Sequence, residues 1–300
     1  MTTTTTLISP QGTSMRATKG RKPRRAGTPI MLGLAYLLLA FISLTAILPL
    51  AVMFATSFKP AVEIFQVPPQ LLAANPTWDN YLKVLLQSDM PQALLNSVLV
   101  GLLTTIVTLL LGSTTGYALA RIRFRGSRQL AVTMLLGQLL PGTVLLLPIY
   151  QLIASMGLLD TIPGLSIAML VFVLPVVTWM LSSTFAAIPV ELEEAAMIDG
   201  SSRFMAVIRV VLPVALPGIL SVGIFAFLQS WNEFLFASVM TTSIASKTAP
   251  IALTDFANEF TVDWGSTMAG ASVISIPIII VFLFIQRFFV RGMAAGAVKG

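Results

Sequence analysis

The stretch Glu194-Ala195-Ala196-Met197-Ile198-Asp199-Gly200, followed after nine residues by Val210-Val211-Leu212-Pro213, is a polar island between two long apolar runs. Two carboxylates, Glu194 and Asp199, bracket the small residues Ala195 and Ala196, so the segment offers strong acceptors and room for close approach. That is docking chemistry rather than bond-breaking chemistry. A second polar spot, Trp231-Asn232-Glu233, lies near the far end of the next apolar run, and Glu233 is the one acidic residue inside any such run. Trp231 fits an interfacial anchor, while Asn232 and Glu233 fit either structural hydrogen bonding or the lining of a solute path. The chain contains no histidine and no cysteine. The commonest metal ligand, the usual proton shuttle and any thiolate site are therefore missing, which argues against an embedded hydrolase or metalloprotease. A phosphate-binding loop would end in Gly-Lys-Ser/Thr, yet the lysine that precedes a threonine, Lys247, follows Ser246. The chain carries no ATPase or other catalytic residues of its own, and calls for no cofactor.

The elements that position these residues are membrane spans. Of 300 residues, 56% are hydrophobic and 10% charged, and the mean hydropathy is +0.90, far from soluble averages. Six apolar runs are long enough for a ~30 Å hydrocarbon core: 30–54, 94–118, 130–156, 162–185, 216–240 and 269–289. Internal prolines such as Pro141, Pro148, Pro175 and Pro277 predict kinks rather than interruptions. The sequence therefore predicts an all-α, six-helix membrane domain over residues 29–300. Basic residues gather before the first run (Arg16 to Arg25), between the second and third (Arg121, Arg123, Arg125, Arg128), in the polar island (Arg203, Arg209) and after the sixth (Arg291, Lys299). The opposite connections hold Lys59, Lys83 and Lys247 against seven acids. By the positive-inside rule both termini and the 186–213 loop are cytoplasmic. The same topology accounts for the sequence pI near 10.0 without a nucleic-acid partner, which would need basic residues interleaved with aromatics on one surface. Residues 1–28, Thr-rich and then basic, read as a disordered cytoplasmic tail. The outward connection 241–265 is long enough to predict contact with another protein.

Within the island, Pro189 suits a helix's first turn, Glu191, Glu193 and Glu194 suit the positive end of its dipole, and Gly200 suits the left-handed residue that ends it. Ser201 or Ser202 then caps a second helix whose Phe204, Ile208 and Val211 share a face, and Leu212-Pro213 stops or bends that helix before the fifth run. An ordinary amphipathic interfacial loop would satisfy the same physics. In the second run, Gly112 and Gly116 form a small-xxx-small pattern that lets helices approach closely.

Glu-Ala-Ala, three residues, Gly, nine residues, then Val210-Val211-Leu212-Pro213 resembles the cytoplasmic signature loop of bacterial ATP-binding-cassette importer permeases, with Val210 where isoleucine is usual. Tyr117-Ala-Leu-Ala-Arg121, residues 188–200, Trp231-Asn-Glu-Phe-Leu-Phe-Ala237 and Gly296-Ala-Val-Lys-Gly300 are similar to the smaller permease subunit of maltose-type carbohydrate importers. The resemblance implies a subunit in the bacterial inner membrane that moves a maltose-, maltodextrin- or other glucoside-like sugar inward. Its partners would be a second homologous permease, two cytoplasmic ATP-binding subunits, an extracytoplasmic sugar-binding protein and the lipid bilayer. Glu194 and Asp199 would face basic groups of the ATPase, Ala195 and Ala196 would permit contact, Gly200 would set the turn, and Leu212 and Pro213 would complete the coupling site. A permease for another solute delivered by a binding protein, such as glycerol 3-phosphate, and an ion-coupled secondary transporter are the alternatives. Few ionisable groups at membrane depth weigh against the latter.

Overall fold

A computed structural model describes residues 29–122, 124–257 and 261–297; the tail at 1–28 lies outside the described residues. In chain order the helices are α1 (Pro29–Ser57), α2 (Ala61–Ile64), α3 (Asp79–Leu86), α4 (Met90–Arg121), α5 (Ser127–Gly137), α6 (Gly142–Ser155) and α7 (Ile162–Ala186). There follow α8 (Glu191–Ile198), α9 (Arg203–Ala206), α10 (Leu212–Trp231), α11 (Leu235–Met240), α12 (Ala249–Ala252) and α13 (Trp264–Ala297). Among the described residues five helical stretches are long and apolar enough to cross a membrane, and the bent pair α5 and α6 passes the same test taken together, as a broken span or a re-entrant loop. The all-α, multi-span reading thus holds.

The chain divides into two units, residues 1–49 and 50–300. In the first, every residue from Met31 to Pro49 is exposed. Thr45 turns its hydroxyl back onto the carbonyls of Phe41 (3.0 Å) and Ile42 (2.9 Å), so that this hydroxyl is satisfied within its own apolar helix.

The second unit is built on α4, α7 and α10. On α7, Val173, Val177, Leu181 and Phe185 repeat every four residues and form a buried stripe. Gly116 lets α4 lie directly on that stripe, since a Cβ there would stand 3.0 Å from the Ser182 nitrogen and 3.1 Å from the Thr178 carbonyl. The small-residue pattern is a packing device.

Three expectations give way. The third run, 130–156, is not one helix: α5 and α6 meet at 103°. Pro141 is extended (φ −61°, ψ 135°) at the N-cap of α6, and its ring keeps the residue before it out of helical geometry, so α5 does not run on into α6. At the break the Gln138 amide lies 3.5 Å from the Val171 carbonyl, the group that Pro175 leaves without its helical donor. The fifth run, 216–240, likewise ends early, at Trp231, and resumes as α11. Third, of the stop or bend expected at Leu212-Pro213, the stop does not occur. Residues 203–231 form one continuous span, joined by a π turn over Val207–Val211 in which the Leu212 amide bonds the Val207 carbonyl five residues back. The wider turn relieves the clash that the Pro213 ring would have with the Arg209 carbonyl in α geometry.

That turn also overturns the predicted shared face. The buried stripe runs Ala206, Val211, Ala215, Val222, Ala226, Ser230, with a step of five where the π turn sits. Phe204 and Ile208 fall out of phase and are 73% and 43% exposed.

At the opposite end of the bundle from residues 187–202, the connection over 241–257 is folded rather than loose. Asn96 on α4 donates to the Ile244 (3.0 Å) and Lys247 (2.8 Å) carbonyls, and Ser97 accepts the Ala249 amide at 2.8 Å. Ala249 and Ala252 pack with Val84, Met90, Ala93 and Ala269 in a core cluster of their own. Asp160, in the α6–α7 turn with φ 58°, accepts the amides of Thr242 (2.8 Å) and Ser243 (2.9 Å) and the Ser246 hydroxyl. The Ser243 amide, the Ser246 hydroxyl and the Thr242 amide together hold its carboxyl well below the usual carboxylate range.

Candidate coupling site

The polar island becomes a two-turn helix and a tight turn. α8 starts with Glu191, Glu193 and Glu194 in its first turn, where carboxylates complement the helix dipole. It ends on Gly200 with φ +92°, as the sequence predicts. The Ser201 amide bonds the Ala196 carbonyl (3.0 Å) and the Gly200 amide bonds the Met197 carbonyl (3.1 Å), which is the Schellman pattern that a left-handed residue makes possible. Ser202 then caps α9 by accepting the Met205 amide at 3.3 Å.

The structure brings most of the predicted coupling residues onto one surface. Glu194, Ala195, Asp199 and Gly200 are exposed, and Ala196 is half-buried beside them. Ile198, 86% exposed, stands among them as an apolar contact point. Leu212 and Pro213 do not join that surface. Leu212 packs against the cluster built on the α7 stripe, and Pro213 lies exposed in the first turn of α10. The two halves of the motif thus separate into a presented face and a helical root.

Beneath the presented face sits a group that the sequence reading counted only as a dipole partner. Glu193 is 4% exposed, and its Oε1 accepts the Tyr117 hydroxyl at 2.5 Å. Arg203 Nε lies 3.7 Å from Oε1, and Arg121 Nε lies 3.9 Å from Oε2. Arg121 also donates through Nη2 to the Ile188 carbonyl at 2.5 Å. Tyr117 and Arg121 are four residues apart, hence on one face of the last turns of α4. The guanidinium reaches the α7–α8 connection at Ile188 and the phenol reaches α8 at Glu193, and the Tyr117 ring meets Phe185 edge-on, 5.9 Å between centroids. The signal available in the sequence was this i, i+4 Tyr/Arg pair together with Glu193, the middle carboxylate of its helix.

The weaker candidates lie at the far end of α10, 20 residues or about 30 Å from Leu212. Glu233 accepts the Phe236 amide at 2.7 Å and so caps α11, a structural duty that explains the break after Trp231. Asn232 is exposed; its amide returns to the Leu228 carbonyl at 2.9 Å, leaving its oxygen open. Among the described residues no cluster of three or more acids suits a metal ion.

A family profile described as "Binding-protein-dependent transport system inner membrane component" matches residues 108–295. The chain is similar to the trehalose transport system permease protein SugB of Mycobacterium tuberculosis, 38% identical over 257 residues, covering 85% of this chain and 93% of that one. It is also similar to the diacetylchitobiose uptake system permease protein DasC of Streptomyces coelicolor, 35% identical with 85% and 92% of the two chains covered. The trehalose/maltose transport system permease protein MalG of Thermococcus litoralis is 32% identical, with 90% and 97% covered. A crystal structure of a bacterial ABC transporter involved in the import of the acidic polysaccharide alginate has the same fold: TM-score 0.76 at 20% identity, over 89% of this chain and 100% of that one.

Proposed function

The chain belongs to the binding-protein-dependent transport system inner membrane components, as a carbohydrate ABC importer permease with several membrane-spanning helices, and from that premise we propose that it couples inward movement of a disaccharide or short oligosaccharide to ATP hydrolysis in a separate subunit. Two cytoplasmic ATPases, a second, related permease and an extracytoplasmic sugar-binding protein complete the transporter. Residues 186–213 and both termini face the cytoplasm, as the lysine and arginine distribution requires. The carrying observation is the presented face of α8: exposed Glu194, Ala195 and Asp199 held in one orientation by the Gly200 turn. An acidic, small-residue surface on a short helix fits a cleft lined by basic groups. The opposite end, where 244–249 is fastened onto α4, supplies the surface for the binding protein. Because Ala249 and Ala252 are core residues there, that contact belongs to exposed side chains such as Ile244.

The sugar class follows from relatives named for trehalose, diacetylchitobiose and trehalose/maltose over most of their length. A phosphate ester fits less well, because α4, α7 and α10 carry no lysine or arginine between their ends. The test is co-purification of the ATPase subunit together with uptake of trehalose, maltose and diacetylchitobiose. Glu194→Lys should leave membrane abundance unchanged and lose both the ATPase and uptake. Wild-type association in that variant would remove the coupling role, and absence of uptake of all three sugars by the wild-type transporter would remove the substrate class.

A further inference from the structure

We propose that Glu193 is the positioning residue of the coupling loop, fastening α8 to the end of α4 so that the two move as one body. The inference rests on the coupling role proposed above for α8. Four residues join α8 to α7 and four more join it to α9; the Gly200 turn sets its direction relative to α9, and a side-chain anchor is what ties it to α4. Glu193 is the buried residue of α8. Its carboxylate is gripped from α4 by the Tyr117 hydroxyl at 2.5 Å and approached from α9 by Arg203 at 3.7 Å.

Arg121 adds a second point of attachment. Its Nη2 holds the Ile188 carbonyl in the α7–α8 connection, while its Nε stays 3.9 Å from Glu193 with no hydrogen bond of its own. Two cations therefore face one buried carboxylate, and the Tyr117 ring rests on Phe185 in the last turn of α7. Thus α4 and α9 meet α8 at Glu193, and the Tyr117 ring extends the cluster to α7. A carboxylate buried there costs desolvation that an apolar residue would avoid. What it contributes instead is direction, because a charge-assisted hydrogen bond tolerates little change of angle. Glu194, the next residue and about 100° further round the helix, is exposed, so docking and anchoring are assigned to adjacent carboxylates that point in different directions.

The complete transporter in proteoliposomes tests this, and a chain without cysteine makes it convenient. Spin labels at Leu192→Cys and Ile122→Cys, both exposed, report the separation of α8 from the end of α4. In the wild type that distance should be the same without nucleotide and with ATP and vanadate. In Tyr117→Phe, which keeps the ring against Phe185, and in Glu193→Gln, which keeps the shape, the distance should change on adding ATP. Trehalose uptake per ATP hydrolysed should also fall about tenfold, the factor for one charge-assisted hydrogen bond. A purely structural role would lower abundance and both rates together, leaving that ratio and the distance unmoved. A distance that shifts with ATP in the wild type, or variants that retain either the fixed distance or the wild-type ratio, would overturn the proposal. Failure of the underlying coupling role reads differently, as retention of the ATPase by Glu194→Lys.

Discussion

Replacing Gly200 by valine isolates the backbone contribution to the coupling turn, because a Cβ at that position would meet no atom within 4 Å while φ stands at +92°. The cost is then conformational alone, about 1–2 kcal/mol for a residue bearing a Cβ, with valine at the upper end because it is branched. If Glu194 and Asp199 reach the ATPase together only while the Ser201–Ala196 and Gly200–Met197 bonds close the turn, that energy lowers affinity by a factor of roughly 5–30. Alanine should fall between glycine and valine, and asparagine, which tolerates the left-handed region, should stay nearest to wild type. Gly126 supplies an internal control: its φ is +94° and its Cβ position is equally open, but it precedes α5 instead of following α8. Gly126→Val therefore carries the same strain without the same consequence. The assay is titration of the purified permease complex with its ATPase subunit, normalised to membrane abundance. Wild-type affinity in Gly200→Val, or an asparagine variant as weak as valine, would refute the reasoning.

Gly116→Ala should lower thermal stability by about 1–3 kcal/mol, since its Cβ would press on the backbone of α7, whereas Gly112→Ala meets only the yielding side chains of Val177 and Leu181 and the Thr178 hydroxyl and should cost less in the same melting experiment. For Asp160 the folded-state value is depressed, so its stabilisation is fully present above the unfolded carboxylate's ~4 and is lost as pH falls through the folded value. Thermal scans of Asp160→Asn against wild type should show a gap at neutral pH that narrows below pH ~4, and a gap that widens in acid would contradict the assignment. Reporter fusions after Arg125 and Gly200 should read cytoplasm and those after Asp79 and Asp255 the outside; a cytoplasmic signal at Asp79 would break the topology.

The legible parts of this chain were those governed by one local rule. Apolar length alone located α1, α4, α7 and α13, and the need for a left-handed residue after an acidic two-turn helix identified Gly200. Periodicity misled where the chain changes its own period. Phe204, Ile208 and Val211 satisfy a 3.6-residue repeat on paper, yet the π turn at Val207–Val211 shifts the buried phase to Ala206 and Val211. Apolar runs could not reveal the breaks at Pro141 and at Asn232–Phe234, because hydropathy does not register direction. Glu193 did not stand out for another reason: three carboxylates in one first turn look alike until α4 comes down on one of them with Tyr117 and Arg121, and that meeting joins residues 76 positions apart.

The π turn also bears on how this segment tolerates change in length. One surplus residue is stored there, worth about 100° of helical rotation, so losing a single residue between 207 and 211 would convert the turn to α geometry. Ala206 could then stay in phase with Ala215, Val222 and Ala226, but Pro213 would face the carbonyl four residues behind it with no wider turn to make room. A one-residue deletion should thus survive only when paired with replacement of Pro213. The same deletion placed between Val214 and Trp231 would turn part of the buried stripe outward and find no such rescue. Gaps in sequence comparisons across this region are accordingly to be read as a linked pair, the length of the turn and the identity of the residue at 213.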